Sequence, residues 1–516
     1  MNRMLVLFPI FVALAAVFLS QRRETDTTHP IPGRNNTVLF LTTDSSGCSN
    51  VHVAAVSALL KNHPEVEIHY ASFSKTHKRL KRVSTAAPST NTTGSFGWHE
   101  LSGPGFEDAI ARGLPSWNDA ISPPGLKGVG KMMSDFATCV LPWEADEHWR
   151  IYSEMIDIID KVDPALIILD GPFTPAGDIA FNVNRRFITL SPNTVAEIFG
   201  MGQPWGAAFW KFPAMASGIP YPVPWDMIPR NIFLVLWQIW AVLTEPKIPV
   251  VREYLQKKGV KNPLQLGFIV PGVPTFMATL PEANLPVESL PEDTRFYGPI
   301  VIDTAPVAEQ DPELAVWLKR APTVLVNLGT LVQLNEERTR AMTGALKAVL
   351  DSTNNQVLWK IRTIGNISEE IFNPVRPFMM NGRLRIERWL DADPISIMET
   401  GDVVLSVHHG GAGCYHEAIF TGIPQVILPL WFDLYSIART AEYLGIGIWP
   451  GHETAPTWDS ETLAQGILEA LNGKSSAEMR RKSSELSVKA RSYGGKAAVA
   501  RDIANLAAQG GIAARL

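Results

Sequence analysis

The apolar positions of this chain fall into short continuous runs separated by helix-spaced stretches. Val38-Leu39-Phe40-Leu41-Thr42-Thr43 is such a run, and it closes on Asp44-Ser45-Ser46-Gly47. A run of this length ended by turn residues predicts a strand buried on both faces. Val53, Val56, Leu59 and Leu60 then recur at helical spacing up to Pro64, and Val66-Glu67-Ile68-His69-Tyr70-Ala71 predicts a second strand. Strand, helix and strand at this separation form a βαβ unit, the seed of a doubly wound parallel sheet. Further strands are predicted at 165–169, closing on Asp170, and at 188–191. Between Gln203 and Arg230 proline and tryptophan crowd the chain, as in Ile219-Pro220-Tyr221-Pro222-Val223-Pro224-Trp225, and no regular element is expected. Ile232 to Leu243 predicts an apolar helix, interrupted by Gln238 and too short to span a membrane.

The alternation restarts after about residue 300. Strands are predicted at 323–328, followed by Gly329-Thr330, at 356–361 and at 402–407. The economical architecture is α/β, with two Rossmann-like doubly wound domains, one over 36–296 and one over 297–500. Ligands are expected at the strand C-termini, in the cleft between the domains. With 516 residues, 46% hydrophobic and 19% charged, the chain has material for two cores, which excludes a disordered, collagen-like or coiled-coil protein. A net charge of −5 argues against a nucleic-acid partner, which phosphate neutralisation would favour only with the opposite balance. The three cysteines, Cys48, Cys139 and Cys414, cannot build a disulfide framework and include no CxxC pair for zinc.

At the N-terminus, Arg3 precedes an apolar run from Met4 to Leu19, followed by Arg22 and Arg23. The run falls short of the ~20 residues of a comfortable span and suits a signal peptide or an uncleaved signal anchor over 1–23. Either reading places the body at the endoplasmic reticulum or in the secretory pathway, membrane-associated if the segment is kept and secreted if it is cleaved; a buried first helix is the third reading. Sequons at Asn35, Asn91 and Asn366 are compatible with a lumenal, glycosylated body. The basic run from Lys75 to Arg82 reads as a solvated helix face, with a contact to anionic lipid as the sharper option.

The chemistry is concentrated in residues 388–449: Arg-Trp389-Leu-Asp-Ala-Asp-Pro, then Asp402-Val-Val-Leu-Ser-Val-His408-His409-Gly-Gly411-Ala-Gly413-Cys414-Tyr-His416-Glu417, then Gly422-Ile-Pro424, Pro429 and Asp433. A hydrophobic strand delivers histidines and a glycine turn to the start of a helix, where unpaired backbone N–H groups and the helix dipole suit a diphosphate. Glu417, further along that helix, could accept two ribose hydroxyl bonds. This segment resembles the donor-binding signature of the UDP-glycosyltransferases, glycosyltransferase family 1, whose fold is GT-B. The resemblance implies diphosphate contacts from His409 and the Gly411–Gly413–Cys414 turn, ribose contacts from Glu417 and sugar-hydroxyl contacts from Asp433. It also implies that Gly329 and Thr330 line the nucleotide pocket and that Trp389 stacks on the base. The family's Trp-x-Pro-Gln is here Trp389-Leu390-Asp391-Ala392, its Gln after the sugar-binding Asp is Leu434, and its Asn-Ser in the glycine turn is Gly413-Cys414.

In the first domain the family's usual catalytic His is replaced by Cys48, and Asp170 falls at the position of its dyad carboxylate. Ser46 to His52 resembles fungal members that also lack this His. His52 lies one helical turn beyond Cys48 on the same face, which makes it the candidate base with Asp170 orienting it; a packing or capping His is the plainer reading. Trp205, Trp210 and Trp225 are expected to wall an apolar acceptor site. Asp391-Ala392-Asp393 matches a metal-binding DxD only formally, and His408, His409, Cys414 and His416 point apart on a strand end, so no metal is expected. His99 reads as a loop His without function, with a place on the acceptor side as the alternative. The implied function is an inverting transferase that moves a sugar from a UDP-sugar, its co-substrate, to a hydroxyl of an apolar secondary metabolite, sterol or lipid, without a cofactor. The rival is a non-catalytic sugar-nucleotide-binding accessory subunit, prompted by Cys48. A sugar-nucleotide epimerase is the third reading, disfavoured by the apolar wall.

Overall fold

The computed structural model describes residues 30–86, 96–264, 266–267, 269–270 and 272–510. The expected N-terminal signal segment and the sequon at Asn91 lie outside the described residues. The first sheet contains β1 (Arg34–Leu41), β2 (Glu67–Ser72), β3 (Gly97–Glu100), β4 (Pro164–Asp170), β5 (Phe187–Ser191), β6 (Thr275–Met277) and β7 (Thr294–Phe296), in the order β3-β2-β1-β4-β5-β6-β7. The second contains β8 (Thr323–Asn327), β9 (Gln356–Lys360), β10 (Leu384–Glu387), β11 (Val403–His408), β12 (Gln425–Ile427) and β13 (Gly447–Ile448), in the order β10-β9-β8-β11-β12-β13. All the pairings are parallel. Both sheets reverse direction of winding between their first and fourth strands, and in open α/β sheets ligands bind at that switch point.

The predicted strands sit where the apolar runs are because helices cover both faces of each sheet; β1 from Val38, β4 and β8 are buried throughout. Six helices position the site: α1 (Ser46–Asn62), α2 (Val195–Phe199), α3 (Ile228–Leu243), α4 (Ala412–Thr421), α5 (Leu434–Leu444) and α6 (Gly495–Ala507). Residues 203–230 form short helical turns and coil around an apolar cluster that includes Ala214, Ala216, Ile219 and Val223. His99 lies on β3, an edge strand, with its Nε2 2.9 Å from His69 Nδ1. It is a strand residue paired with a second histidine, not the loop residue expected.

One boundary differs from expectation. α6 leaves the second domain and packs Ala498, Val499, Ile503 and Ala504 into the core formed by Val38, Phe40, Val53 and Leu59 of the first. The second domain, expected to run to residue 500, therefore hands its last helix back to its partner. Short polar contacts also cross the cleft: Asn118 Nδ2 donates to Gln333 O (3.1 Å), Ser122 N–H donates to Leu430 O (3.1 Å), and Arg82 pairs with Asp393 (3.0 Å). The Lys75–Arg82 run is thus not a uniformly solvated face: Arg79 donates to Asn50 and Asp44 O while Arg82 reaches the other domain.

Candidate active site

The donor side is built on a backbone turn. Gly410 has φ +94°, and a β carbon there would fall 2.9 Å from Ile427 Cγ2 and 3.3 Å from Leu434 O, so conformation and space both require glycine. α4 then starts from Gly411 with no side-chain cap, leaving first-turn N–H groups for a ligand. Open space lies where a Gly413 side chain would project. His408 is locked into the scaffold: its Nε2 sits 2.8 Å from Gln425 Oε1 and its Nδ1 accepts the Gly410 N–H (3.0 Å). His409 faces the other way, against Gly329 and Gly411, whose added β carbons would meet its ring at 2.6 and 2.5 Å. Its Nδ1 is buried without a partner. Burial, helped by His408 and Lys360, pushes His409 down to about 3, so at neutral pH it offers one N–H from an uncharged ring.

The other expected donor residues gather at the same edge. Thr330 is exposed beside Gly329. Burial pushes the Cys414 thiol up to about 12, so it is a neutral group. Burial, with Asp393 nearby, lifts Glu417 up to about 7. Trp389 is 59% exposed, an available flat platform. Lys360, at the end of β9, was not expected: its Nζ lies 4.5 Å from the Trp389 ring centroid and donates to Gly329 O (3.2 Å). It brings a buried cation to the donor edge, and the only hint in the sequence is a lysine closing the apolar run Val357-Leu358-Trp359. Asp393 is paired with Arg82, and no group of three or more His, Cys, Asp or Glu that could hold a metal exists among the described residues.

α4 is anchored across the cleft by the residues behind its glycine turn. Tyr415 Oη donates to Ala283 O (2.8 Å), and His416 Nε2 lies 2.9 Å from Thr279 Oγ1. Both are buried, which explains why the extra histidine of the signature is a scaffold residue.

The first-domain side departs from expectation. His52 is fully buried on α1, with Nδ1 3.3 Å from Cys48 O and Nε2 3.3 Å from Leu169 O. Its ring lies edge-on to Phe40. Asp170 does not hold it: Oδ2 of Asp170 accepts from Thr43 N–H (3.1 Å) and Thr43 Oγ1 (2.7 Å), while Oδ1 is buried without a partner. The expected His52–Asp170 hydrogen bond is therefore absent, because α1 turns His52 into the sheet and its ring finds backbone carbonyls. Burial lowers His52 and raises Asp170. Burial, then the charges of Asp170 and Asp433, hold the Cys48 thiol well above its ordinary value. The tryptophan wall differs too. Trp205 is 89% exposed and Trp225 84%, and only Trp210 is half covered, with its Nε1 donating to Trp205 O (3.1 Å). The buried positions of that segment are taken instead by Phe212, Ile219, Tyr221 and Val223. Leu126, Phe233, Leu236, Trp237 and Trp240 line an open apolar groove of about 460 Å³ beside α3.

Asp433, at the start of α5, sits among first-domain groups: its charge bears on Cys48, Cys139 and Glu197. Trp431 on the same turn lies 5.7 Å from the Trp117 ring and 6.2 Å from His409. Glu197 was missed by the sequence reading, since a single carboxylate in Val195-Ala-Glu-Ile-Phe199 carries no motif.

Two open parallel sheets facing each other, with a diphosphate-type helix start on the second, define a two-domain nucleotide-sugar transferase. Comparison with known proteins agrees. Residues 389–506 match the family model described as Erythromycin biosynthesis protein CIII-like, C-terminal domain. The chain is 34% identical over 431 residues to glycosyltransferase sdnJ of Sordaria araneosa, covering 81% of this chain and 84% of that one. A UDP-glycosyltransferase of Aspergillus ustus, stmC, is 26% identical over 187 residues, 33% of this chain and 34% of that one. Among solved structures, a UDP-glucosyltransferase from Polygonum tinctorium superposes with a TM-score of 0.60 at 17% identity, covering 93% of this chain and 99% of that one. The chain belongs to the UDP-glycosyltransferase family and has the GT-B fold. It is an enzyme that transfers a sugar from a UDP-sugar to an acceptor, and nothing in the comparisons supports the accessory-subunit reading.

Proposed function

We propose that the transfer inverts the anomeric centre and that the acceptor is an apolar molecule bearing a hydroxyl: a secondary metabolite, a sterol or a lipid. The observation that carries the departure of the diphosphate is the uncapped start of α4 with His409 beside it. There the leaving diphosphate meets unpaired N–H groups, the helix dipole and the neutral His409 N–H, which stabilise charge as the sugar–phosphate bond breaks. Glu417 holds the ribose, Trp389 stacks on the base, and Asp433 holds sugar hydroxyls. Gly329, Thr330, Gly411, Gly413 and Cys414 line the diphosphate. This arrangement needs no bound cofactor and no metal, so activity should survive EDTA. An apolar acceptor suits the groove at Leu126, Phe233, Trp237 and Trp240 and the half-covered Trp210. Names of relatives favour the same class: vancomycin aglycone glucosyltransferase is 32% identical over 142 residues, and an ecdysteroid UDP-glucosyltransferase 26% over 285. The chain's N-terminal apolar run supports attachment to a membrane of the secretory pathway, where an apolar acceptor would partition.

Incubation with a panel of UDP-sugars and apolar alcohols, followed by mass spectrometry and NMR of the product, tests the reading. A β-linked glycoside from an α-linked donor is expected; an α-linked product would rule out inversion. In the same assay Asp433→Ala should weaken the intact UDP-sugar more than UDP. Equal losses would remove Asp433 from the sugar subsite.

A further inference from the structure

With His52 sealed among backbone carbonyls and Cys48 held as a thiol, the first domain still has to supply a group that takes the acceptor's proton. Glu197 is the first-domain carboxylate on which the charge of Asp433 bears. It lies on α2, immediately beyond the C-terminal end of β5, and the residue is half-buried. One oxygen, Oε2, accepts the Thr194 N–H (2.8 Å), and Thr194 Oγ1 in turn accepts the Glu197 N–H (3.3 Å). This reciprocal cap, with the Asn193 side chain, fixes the carboxylate.

The backbone beneath Glu197 is tied to the donor helix. The Val195 N–H donates to Asn284 Oδ1 (2.9 Å), Asn284 Nδ2 donates to Thr279 Oγ1 (2.9 Å), and Thr279 Oγ1 lies 2.9 Å from His416 Nε2 on α4. Three links therefore connect the helix that cradles diphosphate to the helix that carries Glu197. From the opposite domain the charge that faces Glu197 most strongly is Asp433; from its own turn Asn193 and Thr194 hydrogen-bond it. The apolar groups packed on α2 are Ile269, Met277, Val287, Leu290 and Phe296, and Asn284 and Gln203 add uncharged polar groups that bond its backbone. Burial and then the Asp433 charge push the Glu197 carboxyl up towards neutrality, the range in which a general base is most effective near pH 7.

We propose that Glu197 is the catalytic base of the transfer, an inference that rests on the UDP-sugar reading above. As the acceptor oxygen bonds to the anomeric carbon, the bond from that carbon to the diphosphate oxygen breaks and its electron pair leaves with UDP. The acceptor's proton passes to the Glu197 carboxylate, which returns it to solvent once product leaves. Asp433, pushed up to about 6 by burial, gives up its proton before Glu197 does, and its charge keeps the proton affinity of Glu197 high.

The test uses the full chain, the UDP-sugar that wild type turns over, and two acceptors. 2-Naphthol is un-ionised at neutral pH and needs a base; 4-nitrophenol, in mildly alkaline buffer, is already a phenolate and does not. Glu197→Gln retains an oxygen for the Thr194 N–H and so keeps α2 capped. It should lower kcat on 2-naphthol by roughly 10²–10⁴-fold, lower kcat on 4-nitrophenol by less than about 10-fold, and leave UDP affinity unchanged. Equal losses on both acceptors would make Glu197 a structural cap, and normal turnover of 2-naphthol would overturn the proposal outright. Should the Gln variant fail to fold, the acid limb of the kcat profile decides: Asp433→Asn should move it to lower pH by relieving the repulsion, and an unmoved limb overturns the assignment. Wild type that transfers sugar to no acceptor would defeat the UDP-sugar reading itself, and the proposal with it.

Discussion

The two domains share a strand order yet build their halves of the cleft from different materials. In the second, the strand β11 ends in a glycine turn and an uncapped helix, and what it offers a ligand is largely backbone N–H groups. In the first, β1 runs into α1, which also starts without a side-chain cap at Ser45, but what faces the cleft is decided by side chains: Cys48, Asp170 and Glu197. A backbone site is encoded within a dozen consecutive residues. A side-chain site depends on which neighbours solvate, bury or repel each group, and those come from far along the chain. The histidines show the contrast. His408 and His409 are adjacent, yet one is bonded to Gln425 and Gly410 and the other has an unpaired Nδ1 in the donor pocket. His52 has the residue type a base needs but no access to a substrate.

The largest effect that sharpens this contrast is expected on the donor side. Glu417→Ala removes an ionised acceptor of ribose hydroxyl bonds, worth roughly 1.5–3 kcal/mol for a charged hydrogen bond; titration calorimetry should show UDP affinity falling about 10–150-fold. Unchanged affinity would take Glu417 out of the site and leave the helix start without its ribose anchor. Next is His52→Ala. Loss of a buried ring whose N–H is held by a backbone carbonyl should destabilise the fold by about 1–3 kcal/mol in denaturant unfolding, with turnover of the folded protein within about threefold of wild type. A loss of about 10²–10⁴-fold in turnover with stability intact would restore His52 as the base and erase the difference drawn between the two domains. The smallest effect is the pH dependence of UDP binding. Glu417, lifted to about 7 by burial, accepts hydroxyl bonds best when ionised, so affinity should rise as pH increases through about 7 and level off above it. A profile flat across that range, or one that falls, would mean that the ribose is held by another group.

Much of the molecule was legible before its structure. Apolar runs such as 165–169 and 323–328 became β4 and β8 within a residue or two, because a strand covered by helices on both faces must be apolar throughout. The donor turn was legible for a related reason: Gly410 is required by its own φ and by the atoms around it, and Gly411 starts the helix. The tryptophans of the Pro-rich stretch were legible as residues but not as a wall, since the 203–230 segment folds its prolines and small apolar residues inward and leaves Trp205 and Trp225 outside.

Local pattern thus determined the two-sheet fold, the phosphate turn and the family resemblance, because backbone conformation and strand burial are properties of neighbouring residues. Tertiary structure alone decided that α6 closes the first domain, that His52 points into the sheet, that Lys360 reaches Trp389, and that Glu197 and Asp433 confront each other across the cleft. Each of these includes a meeting of groups at least 29 residues apart in sequence, His52 with the Leu169 carbonyl among them, and the distance between such groups, which sets both their charges and their roles, is settled only when the chain folds.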